Sequence, residues 1–258
     1  MALTSTDLNF DLSKPTFPII KIPKWLQPEI KQVLLDFLDH LKYLKKLRSH
    51  ENFDRYAYFV HIFNTVKKVF TVISMKPVWE KLVSISKEAA ENFALILFLG
   101  IQNKYDHALD LIEKHKNEIK SCEKVIVFAQ KLVDQMESYQ HLFFGHMLQD
   151  NHDDITDTLK NFIQNTAASL NEFKNTEAVT SSNIYRLYPM TRQSRDKNSL
   201  AIFYMRSIYL FFKESFKKPM YEIIADIVNT IFNTKYTETD AVKYCATRQP
   251  KHRQLIKK

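Results

Sequence analysis

His141, His146, Asp150, His152, Asp153 and Asp154 gather three imidazoles and three carboxylates within fourteen residues, a mixture that could hold a divalent metal. The spacing argues against it. Two imidazoles that grip one ion from a helix face sit four residues apart, whereas His141 and His146 are five apart and diverge by about 140° at 100° per residue. A charged helix end followed by an aspartate-rich cap is the simpler reading. His107, beside Asp106 and Asp110, makes a sparser set still. No metal ligand is assigned. The nucleophile candidates are the two cysteines, Cys122 and Cys245, which form no CxxC pair and no disulfide framework. Cys122 is expected at the start of a helix, where the dipole would lower its pKa. Free cysteine is nonetheless among the most buried residue types, so packing is the expected role of both thiols. No catalytic residue is assigned.

Phosphate and cofactor chemistry is closed off by glycine. The chain has two, Gly100 and Gly145, where ordinary usage would give roughly eighteen. GxGxxG, Walker and GxSxG loops are absent by inspection, so no cofactor is expected. Left-handed turns are expected to be nearly absent, and a β-rich fold is disfavoured.

Charge is the third source of chemistry. The net charge is +8, yet residues 1–173 carry 21 Lys+Arg against 22 Asp+Glu, while 174–258 carry 16 against 7. The excess lies wholly in the C-terminal third, which predicts a partner with an acidic surface. There Arg186, Arg192, Arg195, Lys251, Arg253, Lys257 and Lys258 stand among Tyr185, Tyr188 and Tyr244. Cations beside aromatic rings could bind single-stranded nucleic acid by phosphate contact and stacking. No helix-turn-helix spacing, zinc finger or RNP sequence accompanies them.

The elements that must position these residues read as helices. Residues 1–28 hold Pro15, Pro18, Pro23 and Pro28 among Phe17, Ile19, Ile20, Ile22 and Trp25. Proline at that density predicts an extended apolar arm, with Phe17, Ile19, Ile20 and Trp25 as candidate partner contacts. A helical domain follows over 29–173. Pro28 opens its first helix, and further helices are predicted over 53–75, 78–102, 105–116, 118–148 and 153–173. Residues 174–198 lose the periodicity and read as a linker. A C-terminal helical subdomain spans 199–246, with helices over 199–216, 219–232 and 237–246, the last capped by Thr237 with Asp240 three residues on. A basic tail, 247–258, ends the chain. The fold class is therefore all-α, a bundle or irregular array of about eight or nine helices.

Asn103-Lys-Tyr105-Asp-His-Ala108-Leu-Asp-Leu-Ile112, preceded by Leu95, resembles the turn and second helix of a tetratricopeptide repeat. The resemblance covers one hairpin. Ile96 stands where the family has a small residue, and no second copy follows at 34-residue spacing.

The N-terminal residues lack a basic segment followed by an apolar stretch, which predicts no secretory signal and a cytoplasmic location. The longest apolar run, Phe93 to Ile101, is nine residues, whereas a membrane span needs about 20. By elimination the expected function is a non-enzymatic adaptor or structural subunit of a cytoplasmic multiprotein assembly, with a secretion-system component or an effector as particular cases. The alternative is a nucleic-acid-binding protein that uses the basic C-terminal third.

Overall fold

The computed structural model describes residues 16–47, 50–143, 154–172 and 198–245. Among them every regular element is a helix: α1 (Pro28–Lys46), α2 (His50–Thr71), α3 (Lys76–Ile85), α4 (Lys87–Leu99), α5 (Ile101–Phe143), α6 (154–172), α7 (Ser199–Ser215), α8 (Tyr221–Phe232) and α9 (Glu238–Cys245). A single 3₁₀ turn, Ile73–Met75, joins α2 to α3. The all-α class read from periodicity is the class observed. The chain divides into two compact units, one of residues up to Tyr105 together with those from Thr191, the other Asp106–Met190.

Local chemistry explains the boundaries. Pro28 opens α1, with Glu29 in the first turn and Lys45 and Lys46 in the last, the charge order that a helix dipole favours. The continuous helix predicted over 78–102 is broken twice. Ser86 adopts an extended conformation, and its Oγ accepts from Ala89 N at 3.2 Å, which caps α4. Gly100 then separates α4 from α5. Conversely, the two helices predicted over 105–116 and 118–148 are one, because nothing at Asn117 interrupts the backbone ladder of α5.

Glycine scarcity does not remove left-handed backbone. Lys217, Met220 and Asn233 have φ of 58°, 46° and 54°, and the last two flank α8. Asparagine tolerates this region, since its short polar side chain bonds locally. Asn233 itself is followed by a lock in which Asn229 Oδ1 accepts from Tyr236 N at 2.7 Å and from Thr234 Oγ1 at 2.9 Å.

The larger unit is organised by aromatic rings. Phe37 on α1 stacks on Phe98 of α4 with centroids 4.4 Å apart, and Phe98 stacks on Phe70 of α2 at 4.8 Å. Trp79 of α3 packs on Phe70 and donates its Nε1 hydrogen to Val69 O at 2.8 Å. Val69 lies in the last turn of α2, where carbonyls lack helical partners, so the indole satisfies one of them. Phe93 meets Phe212 of α7 at 4.9 Å, which extends the ring system to the C-terminal helices. α8 packs against α2, α7 and α9. The α7 sequence is apolar on nearly every side, and the helix buries Ile202, Phe203, Tyr204, Met205, Ile208 and Phe212.

Candidate functional site

In the smaller unit, α5 and α6 carry matching seven-residue patterns. Ile112, Ile119, Ile126 and Val133 recur every seven residues on α5, and His115, Cys122, Ala129 and Met136 follow each by three. On α6, Thr156, Ile163 and Leu170 repeat in the same way, with Leu159 and Thr166 between them. This is the spacing that keeps one stripe facing a partner helix. Ala129, Val133, Thr156 and Leu170 are buried, and Lys160 Nζ lies 2.8 Å from Glu137 Oε1. Burial on α5 fades toward Cys122, which is exposed.

The two flanks of this hairpin differ. Glu137 and Lys160 each sit four residues after a core position, and they close one flank with an ion pair. On the other flank, the residue just before a core position is Val125 or Leu132 on α5 and Ile155 or Phe162 on α6. On each helix these residues lie about 80° round from the middle of the core stripe at the seven-residue spacing. Phe128 lies next to this row. Val125, Phe128, Leu132, Ile155 and Phe162 are 48, 71, 38, 52 and 45% exposed. Charged residues ordinarily occupy such flanking positions; the Glu137–Lys160 pair does so on one side, where Val127 is also 56% exposed, while Val125, Leu132, Ile155 and Phe162 are apolar.

A second cluster joins α7, α8 and α9. Arg206 Nε donates to Tyr244 O at 2.8 Å, and Cys245 Sγ donates to Met205 O at 3.5 Å. Burial pushes the Cys245 thiol up to about 12, against the opposing influence of the Arg206 charge. Burial likewise raises the Tyr221 phenol, and Tyr209, whose ring stacks on it at 5.7 Å, adds to the rise. A thiol so firmly protonated is a poor nucleophile, because the thiolate is the reactive form. Its chemistry here is packing. Cys122 differs from its expected place, being exposed in the interior of α5, far from the helix dipole's N-terminal end.

The arm is described from Thr16. Pro18 and Leu26 are buried, while Phe17, Ile20 and Trp25 are half-buried. Lys45 Nζ stands 5.7 Å from the Phe17 ring centroid, a cation–π contact. Ile19 is 98% exposed. Arg186, Arg192, Arg195, Lys251, Arg253, Lys257 and Lys258 lie outside the described residues, as do the linker over 174–197 and the basic tail. So do the side chains of His141, His146, Asp150, His152 and Asp153; Asp154, at the start of α6, is exposed. Tyr105 and Ala108, the pair that resembles a tetratricopeptide lock, stand within the uninterrupted α5. The Tyr105 ring meets Phe203 of α7 edge-on at 5.1 Å, and its hydroxyl lies 3.0 Å from Ser199 Oγ.

Among the described residues, no group of three His, Cys, Asp or Glu is placed to hold a metal ion, and no helix is long and apolar enough to cross a membrane. No family model, curated protein or solved structure matches this chain. The exposed apolar residues of α5 and α6 were not singled out by periodicity along the sequence.

Proposed function

We propose that this chain is a helical adaptor, a non-enzymatic subunit of a cytoplasmic multiprotein assembly that holds a protein partner on the apolar flank of α5 and α6. The observation that carries this reading is the five large apolar side chains, Val125, Phe128 and Leu132 on α5 and Ile155 and Phe162 on α6, that stand 38 to 71% exposed outside the core stripes. Apolar residues scattered singly over a surface need no explanation, but a contiguous row marks an interaction site. Burying such a side chain fully is worth about 1.5–3 kcal/mol, so covering the row supplies a substantial driving force for association. Ile19 on the arm is a secondary candidate contact.

Affinity capture of the full chain from its native cell tests this reading, with Phe128→Asp/Phe162→Asp as the comparison. Proteins recovered with the wild type are expected to be lost with the variant while its circular dichroism is unchanged. Equal recovery by both would refute the reading. Nucleic-acid binding is the second reading, supported by the 16 Lys+Arg against 7 Asp+Glu of residues 174–258. It predicts a gel shift with single-stranded nucleic acid whose affinity falls steeply with salt.

A further inference from the structure

We infer that the α5/α6 unit opens as a cooperative unit of its own, and that two buried hydroxyl contacts, Tyr204–Gln102 and Tyr105–Ser199, form the clasp at which that opening stops.

α5 runs without interruption from Ile101 to Phe143, yet its residues up to Tyr105 belong to the larger unit and those from Asp106 to the smaller. Helical hydrogen bonding is cooperative along the chain, so the backbone ladder by itself sets no boundary at Tyr105. Side-chain packing has to set it.

That packing differs on the two sides. Among the described residues, the smaller unit buries Ala108, Ala129, Val133, Leu170 and the polar Thr156. In the larger unit α1 alone buries Ile30, Leu34, Phe37, Leu38, Leu41 and Leu44. Stabilisation grows with the apolar area removed from water. Regions with few buried apolar contacts open at the low end of the free-energy range, ahead of the core. The smaller unit therefore opens first.

The clasp lies where the chain leaves the larger unit and where it returns. Tyr204 of α7 donates its hydroxyl hydrogen to Gln102 Oε1 at 3.3 Å, and the Tyr105 hydroxyl lies 3.0 Å from Ser199 Oγ; both contacts are buried. The rings are held as well, Tyr105 edge-on to Phe203 and Tyr204 edge-on to Phe232 of α8, each at 5.1 Å. Gln102 and Ser199 are two of the three buried polar residues among those described, tyrosines aside. Parting a buried polar pair costs the desolvation of both groups. Opening of α5 beyond Tyr105 breaks neither contact, whereas opening that passes into its first turn breaks both.

The test uses the full chain. Both tryptophans, Trp25 and Trp79, lie in the larger unit, so their emission reads that unit alone, while circular dichroism reads every helix. In urea the helical signal should begin to fall before the emission changes, which separates two transitions. Val133→Asp places a charge at a fully buried position of the smaller unit. It should remove part of the helical signal without urea and leave the emission unchanged. By hydrogen–deuterium exchange of the wild type, residues 108–143 and 155–171 should exchange at least about tenfold faster than residues 101–105. Tyr105→Phe/Tyr204→Phe keeps both rings and removes both hydroxyls. Exchange over 101–105 should then rise at least about tenfold, toward that of the rest of α5, with α4 unchanged. Coincident urea transitions, or a Val133→Asp chain that loses its native emission together with its helicity, overturn the separate opening of the unit. Unchanged exchange over 101–105 in the double phenylalanine variant overturns the clasp.

Discussion

Phe98 of α4 lies against Phe37 of α1 with ring planes 13° apart and centroids 4.4 Å apart, and both side chains are buried. Phe63 is near-parallel to both at 6.1 Å, so one ring of α4 fastens two other helices. Offset stacking adds to the area each ring buries. Phe98→Ala should cost about 3–5 kcal/mol, the range for emptying a fully buried phenylalanine site. Urea denaturation measures this, and a loss under about 1 kcal/mol would mean that the stack is not the centre of the unit.

Lys217 occupies left-handed backbone at φ 58° with its ammonium donating to Glu214 O at 2.7 Å on the surface. A residue with a Cβ is strained there by roughly 1–2 kcal/mol. Glycine relieves that strain but gives the unfolded chain more freedom, which returns part of the gain. Lys217→Gly is therefore expected to raise stability by up to about 1 kcal/mol, visible as a higher melting temperature. A lower one would show that the Glu214 contact outweighs the backbone strain.

Cys245 links stability to alkaline pH. Its folded pKa is raised from 9.0 to about 12 by burial, so the unfolded chain releases this proton first. The contribution is fully present below pH about 9 and is lost progressively as pH rises toward about 12. Tyr56 and Tyr221, whose phenols burial also raises, add a slope of the same sign from their ordinary value of 10.0 upward. Between pH about 9 and about 11, the urea midpoint of the wild type should fall more steeply than that of Cys245→Ala. Parallel slopes would contradict the burial of this thiol.

Much of the fold was legible because its signals are local. Pro28 marked the start of α1, and the Thr237–Asp240 cap forms as read: Asp240 N donates to Thr237 Oγ1 at 3.2 Å, and Thr237 N donates to Asp240 Oδ2 at 2.9 Å. The breaks were harder. Ser86 resembles any polar residue on a helix surface until its own backbone turns extended, and Asn117 looks like an interruption although the helix runs through it. The hairpin register was obscured by its composition. Buried Ala129 and half-buried His115 stand at heptad positions usually recognised by leucine, and Cys122, at the same spacing, is exposed, so Val125 and Phe128 read as part of a general apolar face. Which flank stays uncovered depends on the position of α6, and periodicity along α5 alone carries no such information.

Hydrogen–deuterium exchange on the full chain, with and without the partner recovered by affinity capture, tests the central claim most directly. Amide exchange reports local opening, and a partner seated on a flank suppresses the opening of the backbone beneath it. The account predicts added protection over residues 125–136 of α5 and 155–166 of α6, with α1 to α4 unchanged. Protection confined to the arm around Ile19 or to the C-terminal helices, with the hairpin exchanging as before, would contradict it.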